Sequence, residues 1–236
     1  MGVGSGKLHV AAKNNNVEKL RKLHSKGRDM NKMNEFGWTP LHVAAWSGRV
    51  EAVRVLVELG AAVDLPNEFG VTPLHYATQN GQTEVMRALV LDLGAEVEFA
   101  DNNCSTPVHY AIHHNQIDAL ALLLRELASE VDGRGTIEFV DASGKKDTQS
   151  GETPLITAIQ KGNLQAAKLL VREGANVHMA SSSGKTALQL ASESKLPEFE
   201  EFLLPLTQHK ELASAPPQAQ PLGDNLGPQF AFIECN

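Results

Sequence analysis

The sequence predicts an all-α protein, a solenoid of stacked helix-turn-helix units. Two observations carry that prediction. First, Thr39-Pro40-Leu41-His42 recurs as Thr72-Pro73-Leu74-His75, Thr106-Pro107-Val108-His109, Thr153-Pro154-Leu155-Ile156 and the faded Thr186-Ala187-Leu188-Gln189, with Thr-to-Thr spacings of 33, 34, 47 and 33. Stepping back 33 residues from Thr39 reaches Gly6, which is followed by Lys7-Leu8-His9 and opens a degenerate first copy. Second, the alignment holds at positions not used to find it. Five residues after each start lie Ala11, Ala44, Ala77, Ala111, Ala158 and Ala191; seventeen after lie Leu23, Leu56, Leu89, Leu123, Leu170 and Leu203. A repeat of this length is one supersecondary unit that cannot bury its apolar face alone and does so by stacking.

Each copy reads in order. Thr caps the first helix and Pro follows at the first helical position, where a missing N–H costs nothing. The recurrent Ala lets neighbouring helices approach closely. Asn15, Gly48, Gly81, Asn115 and Gly162 end the first helix, where a left-handed residue is wanted. The second helix carries the apolar stripe, for example Val50, Val53, Leu56 and Val57, and Gly27, Gly60, Gly94 and Gly174 close it. Copies therefore start near 6, 39, 72, 106, 153 and 186.

This pattern resembles the ankyrin repeat, whose signature is T-P-L-H at a 33-residue period. The resemblance covers roughly residues 5–205 and implies a slightly curved solenoid with β-hairpin tips along one edge, beside first helices that line a concave face. It also implies that His9, His42, His75 and His109 are structural, bonding backbone around the turn.

The ends suit capping repeats, with no Thr-Pro in the first copy and Pro197 and Glu200 in the second helix of the last. The repeat domain is expected over 1–205. The remainder, 206–236, is rich in Pro, Ala and Gln, reads as a disordered tail and ends on the apolar Phe230-Ala231-Phe232-Ile233. The spacing of 47 holds an insertion of 47 − 33 = 14 residues within 127–152. Matching Val63-Asp64 to Val140-Asp141 puts about ten of them before Ile137 and about four after Ala142; Thr136–Val140 has strand-like composition, so the two parts are expected to join as one enlarged hairpin.

Composition narrows the function. The chain has 236 residues, 42% hydrophobic and 21% charged, which is ordinary for a soluble globular protein. A net charge of −7 argues against a nucleic-acid surface. No apolar run is long enough for membrane insertion. Two cysteines, Cys104 and Cys235, make no metal-ligand cluster and favour a reducing interior. The expectation is a cytoplasmic protein, also small enough for the nucleus, and monomeric when alone. Gly2-Val3-Gly4-Ser5-Gly6-Lys7 imitates a phosphate loop but has Met1 where the first Gly belongs and Leu8 where Ser or Thr would hold magnesium; it also misses the myristoylation pattern at Gly6. His113 and His114, one turn beyond His109, lack further metal ligands in sequence. Cys104 takes a tip position held by Gly in other copies, strained or exposed, with no evident base partner. No catalytic, cofactor or metal residues are assigned, and an enzyme is the remote alternative.

The resemblance implies that the tips and the late first-helix positions face partners. These are Glu35, Phe36, Trp38, Trp46 and Ser47 in copy two, and Glu68, Phe69, Val71, Gln79 and Asn80 in copy three. Copy four adds Asn102, Asn103, Ser105, His113 and His114, and copy five Gln149, Glu152, Gln160 and Lys161. The aromatic part falls in copies two and three, where Asn34-Glu35-Phe36-Gly37 repeats as Asn67-Glu68-Phe69-Gly70. Large rigid rings on a wet rim are candidate hot spots, and Glu35 and Glu68 flank them. The expected function is non-catalytic recognition of another protein that brings an apolar or aromatic anchor with basic residues nearby. The alternative is a regulatory subunit of an enzyme or transcription complex, docked through 127–152 or the tail. The resemblance also marks Asn31 for hydroxylation in a eukaryotic cell, since Leu23, Asp29, Met30 and Asn31 follow the pattern of modified ankyrin asparagines, with Met30 a mild departure from the aliphatic residue before Asn.

Overall fold

The computed structural model describes residues 6–127, 129–134, 136–140 and 146–213, with 136–140, 146–150 and 208–213 given as backbone. Six first helices are each about two turns long: α1 (Lys7–Lys13), α3 (Pro40–Trp46), α5 (Pro73–Gln79), α7 (Pro107–His113), α9 (Pro154–Gln160) and α11 (Ala187–Glu193). The second helices are α2 (Val17–His24), α4 (Val50–Glu58), α6 (Thr83–Arg87), α8 (Ile117–Arg125), α10 (Leu164–Arg172) and α12 (Pro197–Ala213). First helices pack on first helices in chain order from α1 to α11, and second helices pack likewise from α2 to α10, so the molecule is two parallel layers of helices. The core runs between the layers. The six repeat alanines are at most 1% exposed, because any larger side chain there would push the layers apart.

The turns between helices are left-handed where the sequence requires it. Asn15, Gly48, Gly81, Asn115 and Gly162 all have φ between 53° and 70°. The tips are tight turns rather than long ladders: Asn34 N–H donates to the Trp38 carbonyl and Gly37 N–H returns to the Asn34 carbonyl. The strands among the described residues are β1 (Thr136–Val140) and β2 (Lys146–Ser150), paired antiparallel with Thr136 opposite Ser150. The enlarged hairpin expected of the insertion is thus present.

Its register differs from the sequence expectation. One tip side chain per copy accepts a backbone N–H from the following copy: Asn31 from Ala62, Asp64 from Glu96, Glu98 from Glu130, and Asp132 from Asn176. The counterpart of Val63-Asp64 is therefore Val131-Asp132, not Val140-Asp141. From Asp132 to Thr153 is 153 − 132 = 21 residues, where 72 − 64 = 8 separate Asp64 from Thr72, so 21 − 8 = 13 of the added residues enter the hairpin itself. The last lies at the end of α8, where Ser129 N–H reaches back to the Leu123 carbonyl.

Copy three, one residue longer than the standard 33, places its surplus inside a helix. α6 continues into a π-helical turn over Ala88–Asp92, and Ala95 N–H returns to the Leu89 carbonyl, six residues back. The last helix also runs past the boundary expected at 205. α12 carries through Pro205 to Ala213, so residue 205 lies inside the last helix. Phe199 and Leu203 bury its inner face. The glycine-rich start at 1–5, Lys145 and the tail from 214, including Phe230–Ile233, lie outside the described residues.

Candidate protein-interaction face

The inner layer is held by a repeated histidine bridge. His42 Nδ1 accepts the Thr39 N–H at 3.1 Å, and its Nε2 meets the Val71 carbonyl at 3.0 Å. His75 and His109 do the same with Thr72 and Ser105, and with Thr106 and Glu152. A nitrogen that accepts from backbone is unprotonated, and a nitrogen on a carbonyl must donate, so each ring is the neutral Nε2–H tautomer. Burial agrees, pushing His42 and His75 down to about 4. His9 keeps the outgoing bond to the Trp38 carbonyl at 2.8 Å, although Gly6 stands where Thr would be. Each bridge joins one first helix to the next copy's tip, and that fixes where the tip side chains stand.

The tips are closed by an Asn or Asp at their base. Asn34 Oδ1 accepts from Phe36 and Trp38, Asn67 Oδ1 from Phe69 and Val71, and Asp101 Oδ1 from Asn103 and Ser105. These turns push the next side chain outward. Phe36 is 51% exposed, Phe69 61% and Trp46 37%, while Glu35 and Glu68 stand in solvent beside them. Trp38 divides its role. It is half-buried with its ring 4.3 Å from Tyr76 and 6.2 Å from Trp46, so it supports the surface rather than projecting from it. Val71, expected on the rim, is buried at 5% exposure, because its N–H donates to Asn67 Oδ1 and its carbonyl accepts from His42 Nε2.

Between the tips of copies three and four and the ends of α5 and α7 lies an open pocket of about 520 Å³. It brings together Phe69, Val71, Gln79, Asn103, Ser105, His113 and His114 from the expected set. Both histidines are held below the ordinary imidazole range, first by loss of solvent and then by nearby Lys161. Three residues of this pocket were missed in the sequence: Tyr76, Tyr110 and Asp101. Tyr110 Oη donates to Asp101 Oδ2 at 2.9 Å, and burial followed by that carboxylate pushes the phenol well up. Tyr76 Oη instead accepts from Asn67 Nδ2 at 3.0 Å. The signal was present, since Tyr directly follows His in copies three and four and in no other.

Cys104 has φ of 58°, as its glycine-like position requires, but it is buried rather than exposed. Asn31 is half-buried, its amide spanning the Gly60 carbonyl and the Ala62 N–H. Among the described residues no group of three or more His, Cys, Asp or Glu side chains could hold a metal, and no helix is long and apolar enough to cross a membrane.

The family model for ankyrin repeats (3 copies) matches residues 8–101, 64–134 and 127–213. The chain belongs to the ankyrin-repeat family, whose modules bind other proteins. Its fold is similar to the crystal structure of the ankyrin repeat domain of Bcl-3, a member of the IkappaB protein family, at a TM-score of 0.68 and 29% identity over 90% of this chain and 88% of that one. Among curated proteins it is similar to protein phosphatase 1 regulatory subunit 27 of Mus musculus, 39% identical over 65 residues. That match spans 28% of this chain and 42% of the relative.

Proposed function

We propose that this protein is a non-catalytic recognition subunit, an adaptor, inhibitor or targeting subunit, that binds a partner protein through the concave face and tips of copies two to four. The observation that carries this reading is the run of exposed rings at Phe36, Trp46 and Phe69 leading into the pocket of copies three and four. The rings are large and rigid; Phe36 and Phe69 stand on turns whose backbone Asn34 and Asn67 already close, and Trp46 has its ring 6.2 Å from Trp38, which limits the freedom lost on docking. We assign the protein to the cytoplasm, with access to the nucleus. The test is a paired affinity purification from native lysate, with the intact chain and a variant carrying Phe36→Ala, Trp38→Ala, Trp46→Ala and Phe69→Ala as baits, both equally helical by circular dichroism. A partner held by the first and lost from the second supports the reading. A partner held equally by both refutes it.

Similarity to a phosphatase regulatory subunit favours a second reading, in which the partner is an enzyme and the enlarged hairpin is the docking element. Deleting 136–150 abolishes capture under this reading and leaves it intact under the first. Asn31 is proposed as a hydroxylation site. Intact mass of protein from a eukaryotic cell tests it, and absence of a one-oxygen increment there rules it out.

A further inference from the structure

The tips of copies two, three and four are closed by the same pair of side-chain bonds, and the closing side chain itself differs in one atom. Asn34 and Asn67 close their tips with a neutral amide, and copy four does so with the carboxylate of Asp101. Asp101 is 3% exposed, and none of the ion pairs among the described residues includes it. Its hydrogen bonds come from neutral groups, the Tyr110 hydroxyl and the backbone of Asn103 and Ser105. The pocket above it is walled by the rings of Phe69, Tyr76 and Tyr110. A buried carboxylate beneath aromatic rings gives a site its negative potential, because ring faces and carboxylate both attract a cation and low-dielectric walls weaken screening. Burial and the nearby Lys161 ammonium hold His113 and His114 below the ordinary imidazole range, so Lys161, not the histidines, is the cation that offsets Asp101 here.

We propose that the pocket between copies three and four is a subsite for an arginine side chain of the partner, its guanidinium lying against Tyr76 and Tyr110 above Asp101. The proposal rests on the recognition surface given under Proposed function and names the chemistry of one of its anchors. A planar guanidinium suits this site because it stacks on rings and is more weakly hydrated than an ammonium, so it gives up less on leaving water. The neighbouring exposed Glu68 extends the same preference to the rim.

The test uses N-acetyl-arginine methylamide as the probe, titrated into the full chain and followed by amide NMR shifts. N-acetyl-citrulline methylamide, nearly isosteric and uncharged, is the control. Asp101→Asn restores the residue that copies two and three use, so the tip keeps its turn; Tyr110→Leu removes one ring as a second, independent variant. The expected result is saturable shifts at Tyr76, Gln79, Tyr110 and Ser105 with the arginine probe, at least about five-fold weaker binding with citrulline, and a similar loss in each variant. Equal binding of citrulline, unchanged affinity in Asp101→Asn, or no shifts at the pocket overturns the subsite. None of those results touches the purification test, in which a partner can still be lost from the Phe36, Trp38, Trp46 and Phe69 variant, so failure of the subsite and failure of the recognition surface read out separately.

Discussion

The inner and outer helix layers solve the same stacking problem with opposite chemistry. The inner layer joins neighbouring copies through buried, neutral, directional bonds, with His42, His75 and His109 each spanning from a Thr to the next tip. The outer layer joins them through exposed ion pairs: Arg21 to Glu58, Arg54 to Asp92, Arg87 to Glu126 and Arg125 to Glu173. The difference shows in how each tolerates irregularity. The acid stands two residues after the repeat Leu at Glu58 but three after it at Asp92, Glu126 and Glu173. A long side chain in water accommodates that shift. A buried imidazole cannot, and copy five, which has Ile156 in its place, loses the bridge altogether while Thr153 Oγ1 still caps Ile156 N–H at 3.3 Å. The inner layer therefore holds geometry, and it is the layer that carries the candidate binding surface.

The largest effect expected from this contrast is acid sensitivity of the inner layer. His42 and His75 stay neutral in the fold down to about 4, whereas the unfolded chain takes up protons near 6.5. The unfolded state thus binds more protons between those values. Stability is full above pH 6.5 and falls as pH drops toward 4, by about 5 kcal/mol for the pair. His9 and His109 act in the same direction, while Asp64 and Glu98, raised by burial, oppose them at the acid end. Urea melts across pH 7 to 4.5 measure this, and a flat profile would show that neutral imidazoles do not hold the inner layer. Next is His75→Ala, which strands the Ser105 carbonyl and leaves a cavity, at a cost of about 3 kcal/mol and with part of the acid sensitivity removed. Chemical denaturation at pH 7 and 5 reads both.

Gly70→Ala follows. Gly70 has φ of 78°, and a Cβ there meets the Asn102 backbone nitrogen at 2.7 Å, so strain and collision add to about 2 kcal/mol. Gly60, at φ of 93° with nothing within 4 Å, sharpens the test: Gly60→Ala carries the backbone strain alone, about 1 kcal/mol. Equal losses at the two glycines would show that the tips do not press on one another. The smallest effect is Arg54→Ala in the outer layer. Arg54 and Asp92 are each nearly half exposed, so the change costs about 0.5 kcal/mol at low salt and vanishes at high salt.

The sequence announces whatever is local and repeated. Helix starts, left-handed stops and the structural histidines follow from residue types that serve only one purpose at those positions. What it conceals depends on bonds between copies. Val131-Asp132 and Val140-Asp141 are identical dipeptides nine residues apart, and only the bond from Asn176 N–H to Asp132 separates them. Asp101 looks like an ordinary turn former until its hydroxyl partner Tyr110 and the Phe69 and Tyr76 rings close around it. Trp38 and Trp46 look equivalent as rim aromatics, yet one is a support and the other a face, because Tyr76 from the next copy covers only Trp38. The run of α12 past Pro205 is concealed for a different reason. Proline disfavours a helix interior, but Pro205 is exposed and the helix is anchored before it by Phe199 and Leu203.

The π-helical turn at Ala88–Asp92 has a consequence for how such a chain can change its length. A wider coil takes in one residue within a single helix, and Gly94 still closes that helix with φ of 74°. The next tip is then met on schedule, with Glu96 N–H on Asp64. The turn works as an expansion joint: it lets one span grow while the spans on either side keep their alignment. Removing one residue from it, Val90 for instance, should return copy three to the 33-residue period without disturbing the pocket of copies three and four.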